Sequence, residues 1–253
     1  MPNILIEDKD PRTTIVTLNR PERRNALTIE LMTELAAAVE AAAADNKRRI
    51  LILRGAGKAF CAGLDLQETT EMEKAHRSAE MVAKTLRTIS ETRLITIAQI
   101  HGAAVAGGAG LMSACDFVLA ATQTKIGYPE AKRGLVAGLV MTFLRRQLRE
   151  RDIRELLFTG DLIGAERARE MGLVNRVVAP DELENETQKL VAAILQGAPG
   201  AISNSKRLIE ELWSSSVGED IALALRHHME ARESAEAKEG IAAFLEKRPP
   251  NWT

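Results

Sequence analysis

Two glycine-bearing turns hold the backbone groups best suited to chemistry in this chain. They span residues 60–65 and 101–110, and each follows an apolar, strand-like run. Glycine lets the backbone turn sharply and lets a ligand atom approach its N–H groups. A turn that begins a helix also presents unpaired N–H groups at the positive end of the helix dipole. The two turns could therefore place a pair of donors around one developing oxyanion, as acyl-group chemistry requires. Tight packing between strand and helix at the same glycines is the alternative.

Glu130 is the candidate for the acid or base that this chemistry needs. It follows a short strand-like run, and its apolar neighbours Ile126, Tyr128 and Pro129 would partly remove it from water. Removal from water raises the pKa of a carboxyl group toward the range useful for proton transfer. A solvated loop glutamate paired with Lys132 or Arg133 is the alternative, and the residues themselves leave both interpretations open.

Alternating strands and helices must position these groups in the first half of the chain. Thr28 is the predicted N-cap of a helix at 29–44, where apolar residues recur at helical spacing. A second helix is predicted at 71–92, and strands are predicted at 15–18, 49–53, 95–100 and 117–120. Repeated strand–helix–strand units favour a mostly parallel sheet, so the predicted fold class is α/β.

Helical patterns dominate the second half. They lie at about 165–171, 182–196, 199–213, 218–236 and 239–246, with a last strand at 174–178. The clearest break is at 197–200, which predicts a core of residues 1–196 and a helical region of residues 197–253. The apolar faces of the late helices, which include Ile221 and Leu225, could pack on their own domain or on a neighbouring subunit.

Composition restricts the class of protein. The chain has 253 residues, 45% of them hydrophobic, which is enough for a large domain with a real core. A formal net charge of −1 gives no support to nucleic-acid binding. Two cysteines do not form a disulfide framework, and neither a signal peptide nor a membrane-spanning run is recognisable. A cytoplasmic protein is therefore the expectation.

Other kinds of site are disfavoured. The four histidines show no metal-ligand spacing, so no metal is expected. The glycines of the second turn do not form the G-x-G-x-x-G pattern of a dinucleotide-binding turn. The G-x-S-x-G pattern of a serine hydrolase is also missing from the sequence.

A series of short motifs runs through nearly the whole chain. The motifs occupy residues 18–27, 59–65, 115–116, 127–130, 158–161, 166–168, 172–174 and 244–248. In order and spacing they resemble the crotonase superfamily, the enoyl-CoA hydratase/isomerase family. The resemblance implies a crotonase-like spiral of repeated ββα units. It also implies a C-terminal helical region that forms homotrimers, often paired as hexamers, and that reaches coenzyme A.

The resemblance also assigns roles to individual residues. The backbone N–H groups of Leu64 and Gly107 would hold the carbonyl oxygen of an acyl-CoA thioester, and Glu130 would be the general acid/base. Coenzyme A would arrive as part of the substrate, so no separate cofactor is expected. The residues that would contact it are Arg23, Arg24, Ala26, Ala62, Lys247 and Trp252.

Gly110 departs from the pattern of the family's hydratases, which carry a second glutamate at this position. A glycine can neither hold a water with a side chain nor transfer a proton. Hydration of a 2-enoyl-CoA is narrowly favoured by the overall resemblance. Double-bond isomerisation by Glu130 alone is the first alternative, and a catalytically decayed acyl-CoA-binding or scaffolding homologue is the second.

The acyl group is not specified by the motifs. Pocket-lining residues are expected within 67–92 and 131–145, where the chain departs most from simple family patterns. Two basic residues in the second segment, Lys132 and Arg133, could meet an acidic acyl tail, although at least one of them is expected at the surface.

Overall fold

A computed structural model of the chain describes residues 2–68 and 71–252. Its strands are β1 (Ile4–Asp10), β2 (Thr13–Leu18), β3 (Ile50–Gly55), β4 (Ile95–Ile100), β5 (Ala103–Val105), β6 (Phe117–Ala121), β7 (Lys125–Gly127), β8 (Ile163–Gly164) and β9 (Arg176–Val178). Its α-helices are α1 (Ile29–Ala44), α2 (Met72–Glu91), α3 (Gly107–Ser113), α4 (Gly138–Gln147), α5 (Glu150–Thr159), α6 (Ala165–Met171), α7 (Leu183–Gln196), α8 (Pro199–Glu211), α9 (Val217–Glu233) and α10 (Ala235–Glu246). Short 3-10 helices lie at Pro21–Arg23, Pro129–Arg133 and Pro180–Glu182. Within the described ranges, no helix combines the length and the apolar character needed to cross a membrane.

The strands form two sheets. The larger has the order β1-β2-β3-β4-β6-β9, and the smaller has the order β5-β7-β8. Only the β1–β2 pair is antiparallel in the larger sheet, while β2, β3, β4, β6 and β9 run parallel. The prediction of a mostly parallel sheet is therefore confirmed. Parallel strands need a crossover connection between them, usually a helix.

The parallel arrangement brings the two glycine turns together. The carboxyl ends of β3 and β4 lie side by side, with Arg54 opposite Gln99. The turns that follow are then joined by backbone hydrogen bonds. The Phe60 N–H donates to the His101 carbonyl at 2.9 Å, and the Cys61 N–H donates to the Ala103 carbonyl at 3.0 Å. Segments far apart in sequence thus become neighbours at the carboxyl ends of the parallel strands.

Helices cover both faces of the larger sheet. Alternate side chains of a strand point to opposite faces. Leu51 and Leu53 of β3 accordingly join the main core with α1 and α2, whereas Ile50 and Ile52 join a second cluster under α7. All four side chains are buried. A parallel strand that is buried on both faces needs a continuous apolar run, and β3 has one.

The last two helices pack back onto their own chain. Helix α9 contacts α2 and α4, and α10 contacts the 3-10 turn Pro129–Arg133. A Cβ atom at Gly240 would lie 2.4 Å from the Arg133 carbonyl carbon, so only glycine allows this approach of α10. Ile221 is buried in the core of the chain itself, while Leu223 on the same helix is 48% exposed. The predicted use of this region in oligomerisation stays a prediction.

Most predicted elements are confirmed, with small shifts. The helix predicted at 29–44 is α1, and its cap is Thr28, whose Oγ1 accepts from the Leu31 N–H at 3.2 Å. The prediction of helices at 218–236 and 239–246 placed their boundary too late. Helix α9 ends at Glu233 because Ser234 caps α10 by accepting from the Ala237 N–H at 3.0 Å.

Candidate active site

The N–H groups of Leu64 and Gly107 lie beside each other where the two turns meet. A Cβ atom built on Gly107 would stand 3.9 Å from the Leu64 amide nitrogen. Among the described residues neither N–H has an acceptor, although the adjacent N–H groups of Leu27 and Asp65 are paired. Two neighbouring free donors can share one ligand oxygen, which is the geometry of an oxyanion hole.

A strained backbone conformation orients one of these donors, the Gly107 N–H. Ala106 precedes α3 with φ 51° and ψ −122°, a conformation that residues with a Cβ atom rarely adopt. Its N–H donates to the Gly127 carbonyl at 2.9 Å, which holds the strained residue in place. The ψ angle of Ala106 sets the plane of the peptide that carries the Gly107 N–H. Strain of about 1–3 kcal/mol is thus located at a candidate ligand contact.

Gly63, in the first turn, allows the backbone of the second turn to approach closely. Its φ is +93°, and a Cβ atom there would lie 2.9 Å from the Val105 carbonyl oxygen. Both the backbone conformation and the space require glycine. The turn that presents the Leu64 N–H therefore depends on a residue without a side chain.

Glu130 lies in the 3-10 turn Pro129–Arg133. This turn begins directly after Tyr128, at the end of the small sheet. Tyr128 is fully buried, and its hydroxyl lies 2.9 Å from the Ser113 hydroxyl. Glu130 is half-buried, and its Oε2 atom is buried without a hydrogen-bond partner in the described part of the chain. Burial raises the pKa of Glu130 to about 7, opposed by its own backbone N–H and by the charge of Arg133.

The alternative of a solvated, paired Glu130 does not agree with this geometry. Lys132 is exposed and pairs with Asp161 at 2.6 Å. Arg133 donates from Nη1 to the Pro129 carbonyl at 3.1 Å and stacks over the Phe244 ring at 4.3 Å. Neither cation forms an ion pair with Glu130 within the described residues. The carboxyl group is therefore available to a ligand.

One cavity joins the amide pair and the carboxyl group. Leu64, Gly107 and Glu130 all line it. The expectation that residues of 67–92 and 131–145 line the pocket is confirmed, because Ala79, Val82 and the stretch Leu135–Val140 contribute to its wall. His228 of α9 and Phe244 of α10 complete it. The cavity can hold the oxygen, the α-carbon and the proton carrier of an acyl reaction in one apolar space.

An aliphatic side chain occupies the space beside Gly110. A Cβ atom at Gly110 would lie 2.7 Å from Cγ1 of Val140 and 3.6 Å from Cδ2 of Leu86. Val140 also lines the cavity. The second carboxyl group that is missing from the sequence is therefore not replaced by another polar side chain at this point, and the wall there is apolar.

Comparisons with known proteins show the family of the chain. The family model described as enoyl-CoA hydratase/isomerase matches residues 11–253. The chain belongs to the enoyl-CoA hydratase/isomerase family. A crotonyl-CoA hydratase of Syntrophomonas wolfei is 34% identical over 99% of this chain and 97% of its own length. A short-chain-enoyl-CoA hydratase of Clostridium acetobutylicum is 30% identical over 97% and 96% of the two chains. The crystal structure of an enoyl-CoA hydratase from Mycobacterium avium superposes with a TM-score of 0.87 at 31% identity, covering 99% of each chain.

The family assignment confirms the crotonase fold with its C-terminal helices, and the chain is an enzyme of this family. Four of the residues expected to contact coenzyme A lie together. Arg23, Arg24 and Ala26 form the turn beside the first glycine segment, and the Ala62 N–H donates to the Arg24 carbonyl at 3.0 Å. Ala62 also lines the cavity of this enoyl-CoA hydratase/isomerase, so the turn lies beside the cavity.

The other two expected coenzyme A contacts lie elsewhere. Lys247 is the C-cap residue that follows α10 and has a φ of 56°. Trp252 is 49% exposed near the end of the described chain. No hydrogen bond or ring contact joins either of them to the Arg23–Ala26 turn across the described ranges. Their role toward coenzyme A stays a prediction for this member of the family.

Sequence analysis missed several residues that build the site. Asn25 is buried, and its Nδ2 donates to the Ala56 and Ala59 carbonyls at 2.9 and 2.8 Å. This amide fastens the candidate coenzyme A turn to the loop before Cys61. His228 and Phe244 belong to late helices, and no local pattern indicates that they reach the cavity. Asp65 pairs with Arg20 at 3.2 Å, which ties the first glycine turn to the segment before the candidate coenzyme A turn.

Proposed function

We propose that this enzyme hydrates 2-enoyl-CoA thioesters and catalyses the reverse dehydration. The observation that carries the proposal is the buried, unpartnered Glu130 Oε2 in the same cavity as the free N–H groups of Leu64 and Gly107. The names of the relatives from Syntrophomonas wolfei and Clostridium acetobutylicum support hydration. Coenzyme A is part of the substrate, and the reaction needs no metal or further cofactor.

A single carboxyl group performs both proton transfers in this mechanism. Glu130 as the carboxylate takes a proton from water while the water oxygen bonds to the β-carbon of the substrate. The electron pair of the double bond moves to the thioester oxygen, and the two N–H groups stabilise the resulting enolate. Protonated Glu130 then gives its proton to the α-carbon, which completes the addition of one water. A pKa of about 7 suits a group that must accept and donate in turn.

Isomerisation of a 3-enoyl-CoA is the second candidate, and the packing at Gly110 favours it. Val140 fills the space beside Gly110, so no side chain there holds a water. Glu130 would instead remove a proton from the α-carbon and return it to the γ-carbon of the same dienolate. This reaction needs the oxyanion hole and one base only.

Proton NMR in deuterated water distinguishes these reactions. Purified protein is incubated with crotonyl-CoA or 3-hexenoyl-CoA, beside Glu130→Gln and a Glu150→Gln control at an exposed, ion-paired position. A 3-hydroxyacyl product supports hydration, and a moved double bond without a hydroxyl group supports isomerisation. We expect Glu130→Gln to lower turnover by about 10²–10⁴-fold. Thioester binding without turnover of either substrate would point to a non-catalytic homologue.

A further inference from the structure

Arg133 is the fixed positive charge in the wall of the cavity. Three titratable residues line this cavity in the described part of the chain: Glu130, Arg133 and His228. Burial lowers the pKa of His228, which favours its neutral ring, and its Nδ1 lies 3.1 Å from the Val136 carbonyl oxygen. A guanidinium stays protonated even when burial lowers its pKa, as it does for Arg133.

The guanidinium of Arg133 has unused donor capacity. It has five N–H donors, of which one on Nη1 is given to the Pro129 carbonyl at 3.1 Å. Its Cζ atom lies over the Phe244 ring, 4.3 Å from the ring centroid, a cation–π contact that uses no N–H donor. No described carboxylate forms an ion pair with it, whereas the adjacent Lys132 pairs with Asp161 outside the cavity.

The charge of Glu130 acts on Arg133, but no direct ion pair forms between them. A cation without a direct ion pair in an apolar wall favours an anionic ligand. Partial burial of a charge costs free energy unless a counter-charge or hydrogen bonds compensate. Most other residues that line this cavity are aliphatic or glycine. A planar guanidinium is suited to bidentate hydrogen bonding with a carboxylate.

We propose that the acyl pocket takes an acyl group with a free carboxylate at its far end, and that Arg133 binds this carboxylate. The substrates are then coenzyme A monothioesters of unsaturated dicarboxylic acids. This inference rests on the proposed function, because it names the substrate class of the same cavity. Arg133 acts here as a specificity-determining residue, since the proton transfers belong to Glu130.

The test compares two substrates of similar size that differ in charge. Glutaconyl-CoA carries a terminal carboxylate, and 5-methyl-2-hexenoyl-CoA carries an isopropyl group in its place. We expect the wild-type protein to prefer glutaconyl-CoA in kcat/KM by about 10- to 100-fold, the range of a hydrogen-bonded charge. Arg133→Met should abolish this ratio, Arg133→Lys should retain part of it, and Lys132→Met should leave it as in the wild type.

A binding measurement separates this inference from the proposed function. Calorimetry gives the Kd of the unreactive thioesters glutaryl-CoA and hexanoyl-CoA for the same proteins. Preference for glutaryl-CoA that is lost in Arg133→Met supports the inference even if no enoyl-CoA is turned over, in which case only the proposed function fails. Turnover of both enoyl substrates with no charge preference in the wild type overturns the inference and leaves the proposed function standing. If Arg133→Met loses the same affinity for the acidic and the neutral thioester, the inference is also overturned. Arg133 would then contact coenzyme A or support the fold.

Discussion

Glu130 carries a carboxyl group whose pKa burial raises from 4.5 to about 7. The direction of this shift means that the protonated form is favoured in the folded enzyme relative to a solvated glutamate. At neutral pH both protonation states are then substantially populated. A carboxyl group with its ordinary pKa would be almost entirely ionised and a poor donor to the α-carbon.

The pH dependence of catalysis should report this pKa. In the proposed hydration Glu130 begins as the carboxylate, so kcat/KM should rise with pH and reach half its plateau near pH 7. The measurement is the initial rate of crotonyl-CoA hydration between about pH 5 and 9. A half-maximal point near 4.5, the ordinary value for glutamate, would contradict the buried environment of Glu130.

At the residue scale, the sequence indicated Glu130 as the candidate base and its apolar neighbours, but not the more distant side chains around it. Glu130 and the glycine turns were recognisable because their motifs are local. The different positions of Lys132 and Arg133 were not, because they depend on the 3-10 turn that directs one side chain to Asp161 and the other to the cavity. The position of Val140 opposite Gly110 was also beyond local patterns, since it is set by helix packing.

At the element scale, α3 and α4 are packed closely around Gly110. Helix α3 begins at Gly107 and all seven of its residues are buried. Val140 of α4 contacts it at the level of Gly110, where the glycine leaves space for the valine methyl group. The candidate oxyanion donor, the Gly107 N–H, and the apolar wall of the cavity are therefore parts of one helix pair.

Installing the second carboxyl group should disturb this pair. We expect Gly110→Glu to lower the free energy of unfolding by about 1–3 kcal/mol, because its Cβ atom would stand 2.7 Å from Cγ1 of Val140. Adding Val140→Ala should recover part of the loss. Urea unfolding of the two single variants and the double variant gives the coupling energy. Independent, additive effects of the two substitutions would contradict the contact.

Elements with a clear cap or apolar period were predictable, and most of the small sheet was not. Helix α1 has a cap and an apolar face, and both are visible in the sequence. Strands β5, β7 and β8 have only two or three residues each, which is too short for a period to be detected. They form the small sheet that leads to Glu130, of which only β7 was indicated, as the strand-like run before Glu130. Strand β1 and helices α4 and α5 were also missed.

At the scale of the whole molecule, a group of apolar side chains near the end of α8 is uncovered. Ile209 is 66% exposed and Leu212 is 78% exposed, with Leu208 and Trp213 beside them in sequence. Helix α8 has no buried residue among those described. Exposed apolar groups of this kind are typical of protein interfaces.

Self-association is the expected consequence. We predict a homotrimer or hexamer in solution, measured by size-exclusion chromatography with light scattering. Leu212→Glu should shift the protein to a lower mass, because a charge in an apolar contact is costly. Ile6→Glu, at an exposed apolar residue of β1, serves as the matched control. A wild-type protein that elutes as a single monomeric species would contradict the prediction.

The packing of α10 on the turn of Glu130 has a consequence for protein synthesis. Chains are made from the N-terminus, and Gly240 and Phe244 are added more than one hundred residues after Glu130. Until α10 has left the ribosome, the cavity lacks the Phe244 ring, and the backbone of Arg133 lacks its contact at Gly240. The nascent enzyme can fold its sheet early, yet its acyl pocket closes only when translation has passed α10. A ribosome stalled before that point would hold a largely folded chain with an open, unfinished pocket.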